Sequence, residues 1–290
     1  MNRILCIALT LPLLLAVQAT QPVRGEENAD KKYLLRYSFQ PGEQIRYEVT
    51  HIAKTKTRIK GAEEVSQVHT TSQRHLAVTN SDSESMTFDH VVDAVEMTQQ
   101  QGDEEEIRWD SSTNETPPPV FERVASQIGQ KLSTITVNAR GQETDRVDDT
   151  GTKASLGMGS LTIALPEDPI AVGESWAVPR EVKTRTESGE VKPIKIRELY
   201  TLKKVQTGVA TLSIRSEPLT PIDSESIRAQ VVQQLSDGTI RFDIDNGRML
   251  SKQLDWDESI VGFQGPNSLM DYRAKLTETL LDGVERTASR

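Results

Sequence analysis

Four side chains could support acid–base or metal chemistry, His51, His69, His75 and His90, and all fall in the first half of the chain. His69 and His75 are six residues apart. In one strand they share a face, but at ~3.3 Å per residue they stand about 20 Å apart, too far to share an ion. No HExxH or His-x-His occurs, so the sequence predicts solvated or cross-strand histidines rather than ligands. Asp243-Ile244-Asp245-Asn246-Gly247 superficially resembles a calcium loop, yet lacks the third acidic position and the distal bidentate Glu. Carboxylates are abundant, and an Asp/Glu pair could in principle hydrolyse a glycoside. Sugar clefts stack rings on aromatic side chains, however, and aromatics are only 4% of this chain. There is no GxSxG elbow, P-loop or dinucleotide fingerprint, and the glycines of 151–159 open no helix after a strand. The expectation is a protein that is not an enzyme, with no catalytic, cofactor-binding or metal residues and no cofactor.

The residues that stand out are architectural. Leu165–Val178 reads LPEDPIAVGESWAV, a Pro-punctuated lead, a Gly173-Glu174 turn, and a strand carrying Trp176. Phe39–Val49 has the same grammar around Gly42-Glu43. Trp176 is expected to close one end of the core. Asn246-Gly247 lies between alternating apolar runs and predicts a hairpin with a two-residue type I′ turn, where both residues tolerate positive φ. These seven positions, Gly42, Glu43, Gly173, Glu174, Trp176, Asn246 and Gly247, are the predicted structural sites.

The elements that hold them are mostly strands. Tyr33, Leu35, Tyr37 and Phe39 alternate with polar residues, as do Ile45, Tyr47 and Val49. A period of two marks a half-buried strand. Strands are predicted over 51–60, 65–78 and 84–97, and again over 194–205, 209–214, 240–244 and 270–281. Thr116 followed by Pro117-Pro118-Pro119 signals a helix start, and Val120, Phe121, Val124, Ile128 and Leu132 then recur at helical spacing. This predicts an amphipathic helix near 118–132, with a weaker one near 222–235 from Ile227, Val231 and Leu235. The fold class is therefore mainly β (α+β): a large curved antiparallel sheet, or two similar sheet-plus-helix halves over 33–144 and 161–282 with a connector at 145–160.

An internal echo suggests the two halves. Gly42-Glu43 aligns with Gly173-Glu174 at an offset of 131. Leu76, Val78, Met86, Thr87 and Phe88 align with Tyr200, Leu202, Ala210, Thr211 and Leu212 at 124. Ile135, Val137 and Ala139 align with Ile240, Phe242 and Ile244 at 105. Falling offsets fit one order of elements repeated with shorter loops.

The start of the chain is an export signal by its pattern. Met1-Asn2-Arg3 is cationic, Ile4–Val17 is an apolar run broken only by Thr10 and Pro12, and Ala19 offers a cleavage point. The run is short of the ~20 residues that cross a bilayer, so no transmembrane anchor is expected after cleavage. Cys6, the only cysteine, lies inside that run and too early for lipidation, so no disulfide is expected. Residues 20–32 read as a flexible leader and 283–290 as a tail. Loss of Arg3 with the signal takes the formal charge from −9 to −10, which argues against nucleic acid as a partner. The expected location is the periplasm or cell envelope, or the medium beyond it.

With its export signal, its repeated Gly-Glu strand starts, and Pro-x-x-Pro-x-x-x-Gly-Glu-x-Trp over Pro166–Trp176, the chain resembles an uncharacterised secreted β-rich family common in planctomycete bacteria. The resemblance implies fold and export but no activity, and no functional residue is carried over from it. The first functional expectation is a non-enzymatic exported binding or structural module. The alternatives are a carrier of a lipid or other apolar ligand held between sheet and helix, and a hydrolase using an Asp/Glu pair.

Overall fold

A computed structural model describes residues 31–149, 161–281 and 285–286. The predicted export signal at 1–19 with Cys6, almost all of the expected leader, most of the expected connector and most of the expected tail lie outside the described residues.

The chain is mainly β. Among the described residues the principal sheet has 13 strands, all of them paired antiparallel. In chain order the first half supplies β1 (Lys32–Tyr33), β2 (Glu43–Ile59), β3 (Ala62–Ser81), β4 (Ser85–Gln101), β5 (Ile107–Asp110), α1 (Glu122–Ala125), β6 (Lys131–Asn138) and β7 (Glu143–Asp148). The second half supplies β8 (Ile170–Ala171), β9 (Ser175–Arg185), β10 (Val191–Gln206), β11 (Val209–Pro218), α2 (Glu225–Val231), β12 (Asp237–Asp243), β13 (Arg248–Val261), β14 (Leu269–Leu280) and β15 (Glu285–Arg286). The order across the sheet is β7-β6-β4-β3-β2-β14-β13-β12-β11-β10-β9. β14 of the second half lies against β2 of the first, with Leu276 opposite His51. The halves thus share one continuous sheet rather than forming two separate ones.

The sheet curls so that its two wings face each other. Strand alternation puts Ile45, Tyr47, Leu76, Val78, Phe88, Ile135 and Val137 of the first wing on one face, and Leu202, Leu212, Ile240 and Phe242 of the second on the same face. All belong to one buried cluster, although four strands separate β4 from β12 along the sheet. The segment after β1 explains how. Leu35, Tyr37 and Phe39 alternate into the core, as their pattern predicts, but between the wings rather than within a ladder. Tyr37 packs edge-on against Phe242, and Phe39 against Phe88. The backbone here is tied to both wings, by Tyr37 N–H to the Ala139 carbonyl and Ser38 N–H to that of Gly247.

The two Gly-Glu turns have the same local wiring. Gly42 and Gly173 have φ of 82° and 93°, a left-handed conformation that glycine adopts without strain. Gly42 N–H donates to Val78 and Gly173 N–H to Leu202, residues that align at the offset of 124. The Glu43 carboxylate accepts from Gln40 N–H at 3.0 Å, and that of Glu174 from Ala171 N–H at 2.8 Å. Downstream, Val78 pairs with Phe88 and Phe88 with Ile135, while Leu202 pairs with Leu212 and Leu212 with Ile240.

Three expectations need correction. The helix near 118–132 is a single turn, α1, followed by turns up to β6, so Leu132 is a strand residue. Gly129 at φ 71° ends the turns, and its N–H donates to the Val92 carbonyl. The apolar spacing still serves burial: Phe121, Val124 and Ile128 pack with Trp109 and Val95. The weaker candidate is the longer helix, α2 continued by a 3₁₀ turn Val232–Gln234, with Ile227 and Val231 packed on Ile194 and Ile196. Asn246-Gly247 does turn a hairpin, but not a two-residue one. Asp243 and Arg248 are the closing pair, leaving four loop residues, and only Gly247 has positive φ. The Asp243 side chain bonds both the N–H and the amide of Asn246, which favours the wider loop.

Candidate functional site

Between the wings, beside the apolar core, lies a cavity of about 790 Å³. Its floor is the inner face of the sheet. Cross-strand register sets His51, Leu276 and Leu254 side by side, with Ile214 and Tyr200 further along. Trp256, two residues beyond Leu254 on β13, faces the same way. The roof is the chain that re-enters from the connector. Leu161, Thr162, Ile163 and Ala164 line the cavity without joining a strand.

That strap is held at Thr162, Ile163 and Ala164. Thr162 Oγ1 donates to the Gly141 carbonyl at 2.7 Å, and Ile163 N–H to the Tyr37 hydroxyl at 3.0 Å. Trp176 Nε1 donates to the Ala164 carbonyl at 2.8 Å, and its ring stacks on Tyr200 at 5.2 Å. Trp176 is half-buried, and it fastens the strap to the second wing at the cavity wall. Gly141 allows the close approach on the other side. A Cβ there would lie 2.3 Å from the Tyr37 ring and 2.6 Å from the Ile163 carbonyl. Tyr37 itself is held far above its ordinary pKa by burial, so its hydroxyl stays neutral and able to accept.

The polar lining is ordered into pairs. Arg180 meets Glu198 at 3.0 Å, and Glu198 also accepts from Tyr200 at 2.6 Å. Burial, then the Glu198 charge, pushes the Tyr200 phenol up. Glu143 at the rim is taken by Arg146 at 2.8 Å. Lys252 projects from β13 into a buried triad. Its ammonium is 2.8 Å from Glu278, and Glu278 also accepts from Arg74. All three are at most 4% exposed. Burial alone would push the Glu278 carboxyl up, but Arg74 and Lys252 outweigh it and hold its pKa below the usual range.

The histidines are dispersed. His51 lies on the cavity floor, edge-on to Trp256 at 6.5 Å, and burial lowers its pKa. His75 is on the outer face, 2.8 Å from Asp93. His69 is exposed. His90 is buried near Arg74, and burial, then the Arg74 and Arg146 charges, depress its pKa to about 3. Among the described residues no three His, Cys, Asp or Glu side chains group as a metal site would. Of the predicted structural residues, Trp176 touches the cavity's strap directly. Glu43 is 3.6 Å from Arg248, which joins the first turn to the β12–β13 hairpin of Asn246 and Gly247. Arg74, Lys252, Glu278, Arg180 and Glu198 were not singled out from sequence, although each lies in phase with the apolar face of its strand.

No family model and no curated protein matches the chain. Among solved structures it is similar to lipovitellin, in a structure described as lipid–protein interactions in lipovitellin. The TM-score is 0.51 and the identity 12%, over 87% of this chain. The alignment spans 26% of the lipovitellin chain, so this protein corresponds to about a quarter of it. At that identity the likeness is one of fold.

Proposed function

We propose that this is an exported, non-enzymatic binding protein that carries a lipid or other ligand with an apolar body between the wings of its sheet. The observation that carries the reading is the cavity itself. Its volume of about 790 Å³ falls within the roughly 300–1,000 Å³ typical of ligand sites, and Leu161, Ile163, Ile214, Leu254, Leu276 and Trp256 supply apolar walls. The fold shared with lipovitellin, a protein described by its lipid interactions, supports the same class of ligand. Among the described residues no helix is long and apolar enough to cross a membrane.

We read the matched turns, registers and helix positions as an ancient duplication. Each unit alone would expose one apolar sheet face. Facing each other, the two bury most of that surface and leave the cavity beside the seam. The Met1–Ala19 pattern supports delivery to the periplasm or envelope, and the Pro166–Trp176 stretch supports membership of the secreted family that it resembles.

The test is binding of an environment-sensitive fluorescent fatty-acid probe to the purified protein, before and after Leu254→Trp. The larger side chain should fill part of the floor and weaken binding about tenfold or more. Saturable binding lost in the variant supports the reading; no saturable binding to the parent protein contradicts it.

A further inference from the structure

The strand registers leave a notch in the second wing. β12 pairs with β11 as far as Arg215 opposite Asp237, and with β13 as far as Asp237 opposite Asp255. Beyond that row β11 runs on through Ser216, Glu217 and Pro218 beside β10, and β13 runs on from Trp256 to Val261 beside β14. Among the described residues no strand lies between these two extensions, because the chain leading into β12 comes from the 3₁₀ turn Val232–Gln234 and α2 instead. A missing strand leaves its neighbours two spacings apart, about 9–10 Å. A second cavity, of about 610 Å³, occupies this notch. Ser216 and Pro218 line it from β11, Asp255 and Glu258 from β13, and Leu219 from the loop after β11.

The two cavities share a wall. Trp256 and Ser236 line both of them. Beside them Gln233 and Gln234 line the inner cavity, while Val232 and Leu235 line the notch. Trp256 and one turn of chain therefore stand between the two spaces. The roof on the other side is tied down by the hydrogen bonds of Thr162, Ile163 and Ala164. The partition is held differently. Trp109 and Trp176 each donate from Nε1 to a backbone carbonyl, of Glu115 and Ala164. Trp256 Nε1 is buried and has no hydrogen-bond partner among the described residues, and its half-buried ring meets His51 edge-on at 6.5 Å. Packing alone holds it.

Resting on the carrier reading, we propose that the notch is the portal through which the apolar ligand enters and leaves, and that the Trp256 side chain is its gate. Packed on His51, the ring closes the passage. Swung toward the notch, it opens the passage and gives its N–H to water. The hydrogen bond missing inside is made outside, so the open position is not penalised for a lost bond. A fixed tryptophan such as Trp176 would have to break one.

The experiment is stopped-flow mixing with the fluorescent fatty-acid probe. A barrier on the path changes entry and exit rates by the same factor and leaves affinity alone, since it acts on neither end state. Leu219→Trp combined with Asp257→Trp places a ring on each lip; both residues are exposed, and both line the notch but not the inner cavity. Association and dissociation are expected to slow together by about fivefold or more, with Kd within about twofold of the parent. Trp256→Ala removes the gate and should speed both by about tenfold. Parent-like rates in either variant, or a lip variant with altered affinity at an unchanged association rate, overturn the portal and leave the carrier reading standing. No saturable binding by the parent protein overturns both.

Discussion

Replacing Glu278 with Gln would remove the only negative charge among three side chains that water hardly reaches. Glu278 is 0% exposed, Arg74 1% and Lys252 4%. The amide keeps the carboxylate's shape, so packing is conserved and the change is electrostatic. Two cations would then stand buried together with no anion between them. Breaking a buried ion pair costs about 3–5 kcal/mol, out of a total stability on the order of 5–15 kcal/mol. For a chain of this size that corresponds to roughly 6–20 °C in melting temperature. Urea unfolding followed by tryptophan fluorescence should show a midpoint lowered at unchanged slope. Replacing Glu278, Arg74 and Lys252 together by Leu, Leu and Met should recover most of the loss, because no unpaired charge is left behind. A midpoint for Glu278→Gln within experimental error of the parent would refute the reasoning.

Three further predictions concern the strap and the buried histidine. Folded His90 has its pKa depressed to about 3 while the unfolded value is near 6.5, so its contribution is present above pH 6.5 and is lost as pH falls toward 3. Between pH 7 and pH 5 it removes about 2 kcal/mol, and His90→Gln should flatten that part of the stability profile relative to the parent. Trp176→Ala removes the stack on Tyr200 and the bond to Ala164; with the ring half-buried, the cost should sit near the lower end of the range, about 3 kcal/mol, read as a denaturant midpoint. Gly141→Ala forces a Cβ onto Tyr37 at a backbone φ of 76° and should cost about 1–3 kcal/mol, with a loosened Tyr37–Ile163 contact visible as faster amide exchange at Ile163.

The strand pattern was legible because the inner face is apolar almost throughout. Ile45, Tyr47 and Val49, or Ile240 and Phe242, leave a period of two that any antiparallel sheet with one buried face must show. The paired positions of the two halves could be aligned for the same reason, and the register follows them. The helix near 118–132 misled because Phe121, Val124 and Ile128 all bury against Trp109 and Val95. Loop residues anchored on one cluster mimic helical spacing. The cavity was not legible. Its lining is drawn from eight strands, the strap and the end of α2, and no local pattern joins Ile163 to Lys252. The triad spans 204 residues from Arg74 to Glu278. A signal did exist: Arg74 lies in phase with Leu76, Lys252 with Leu254, Glu278 with Leu276, and Glu198 with Tyr200. A charged residue on the apolar phase of a strand must be paired, functional or both.

The two Gly-Glu turns now have a defined task. Each ties the start of a wing to the neighbouring strand of that wing, through Val78 on β3 in one case and Leu202 on β10 in the other. The segments leading into them, Lys32–Tyr33 and Ile170–Ala171, pair with each other.

Native mass spectrometry of the protein, purified from its native source without detergent exchange, tests the central claim most directly. A bound species of lipid-like mass, retained by the parent chain and absent from Leu254→Trp, is the predicted result. Repeated preparations that show only the bare polypeptide, with no lipid or other apolar compound in the organic extract, would contradict the account.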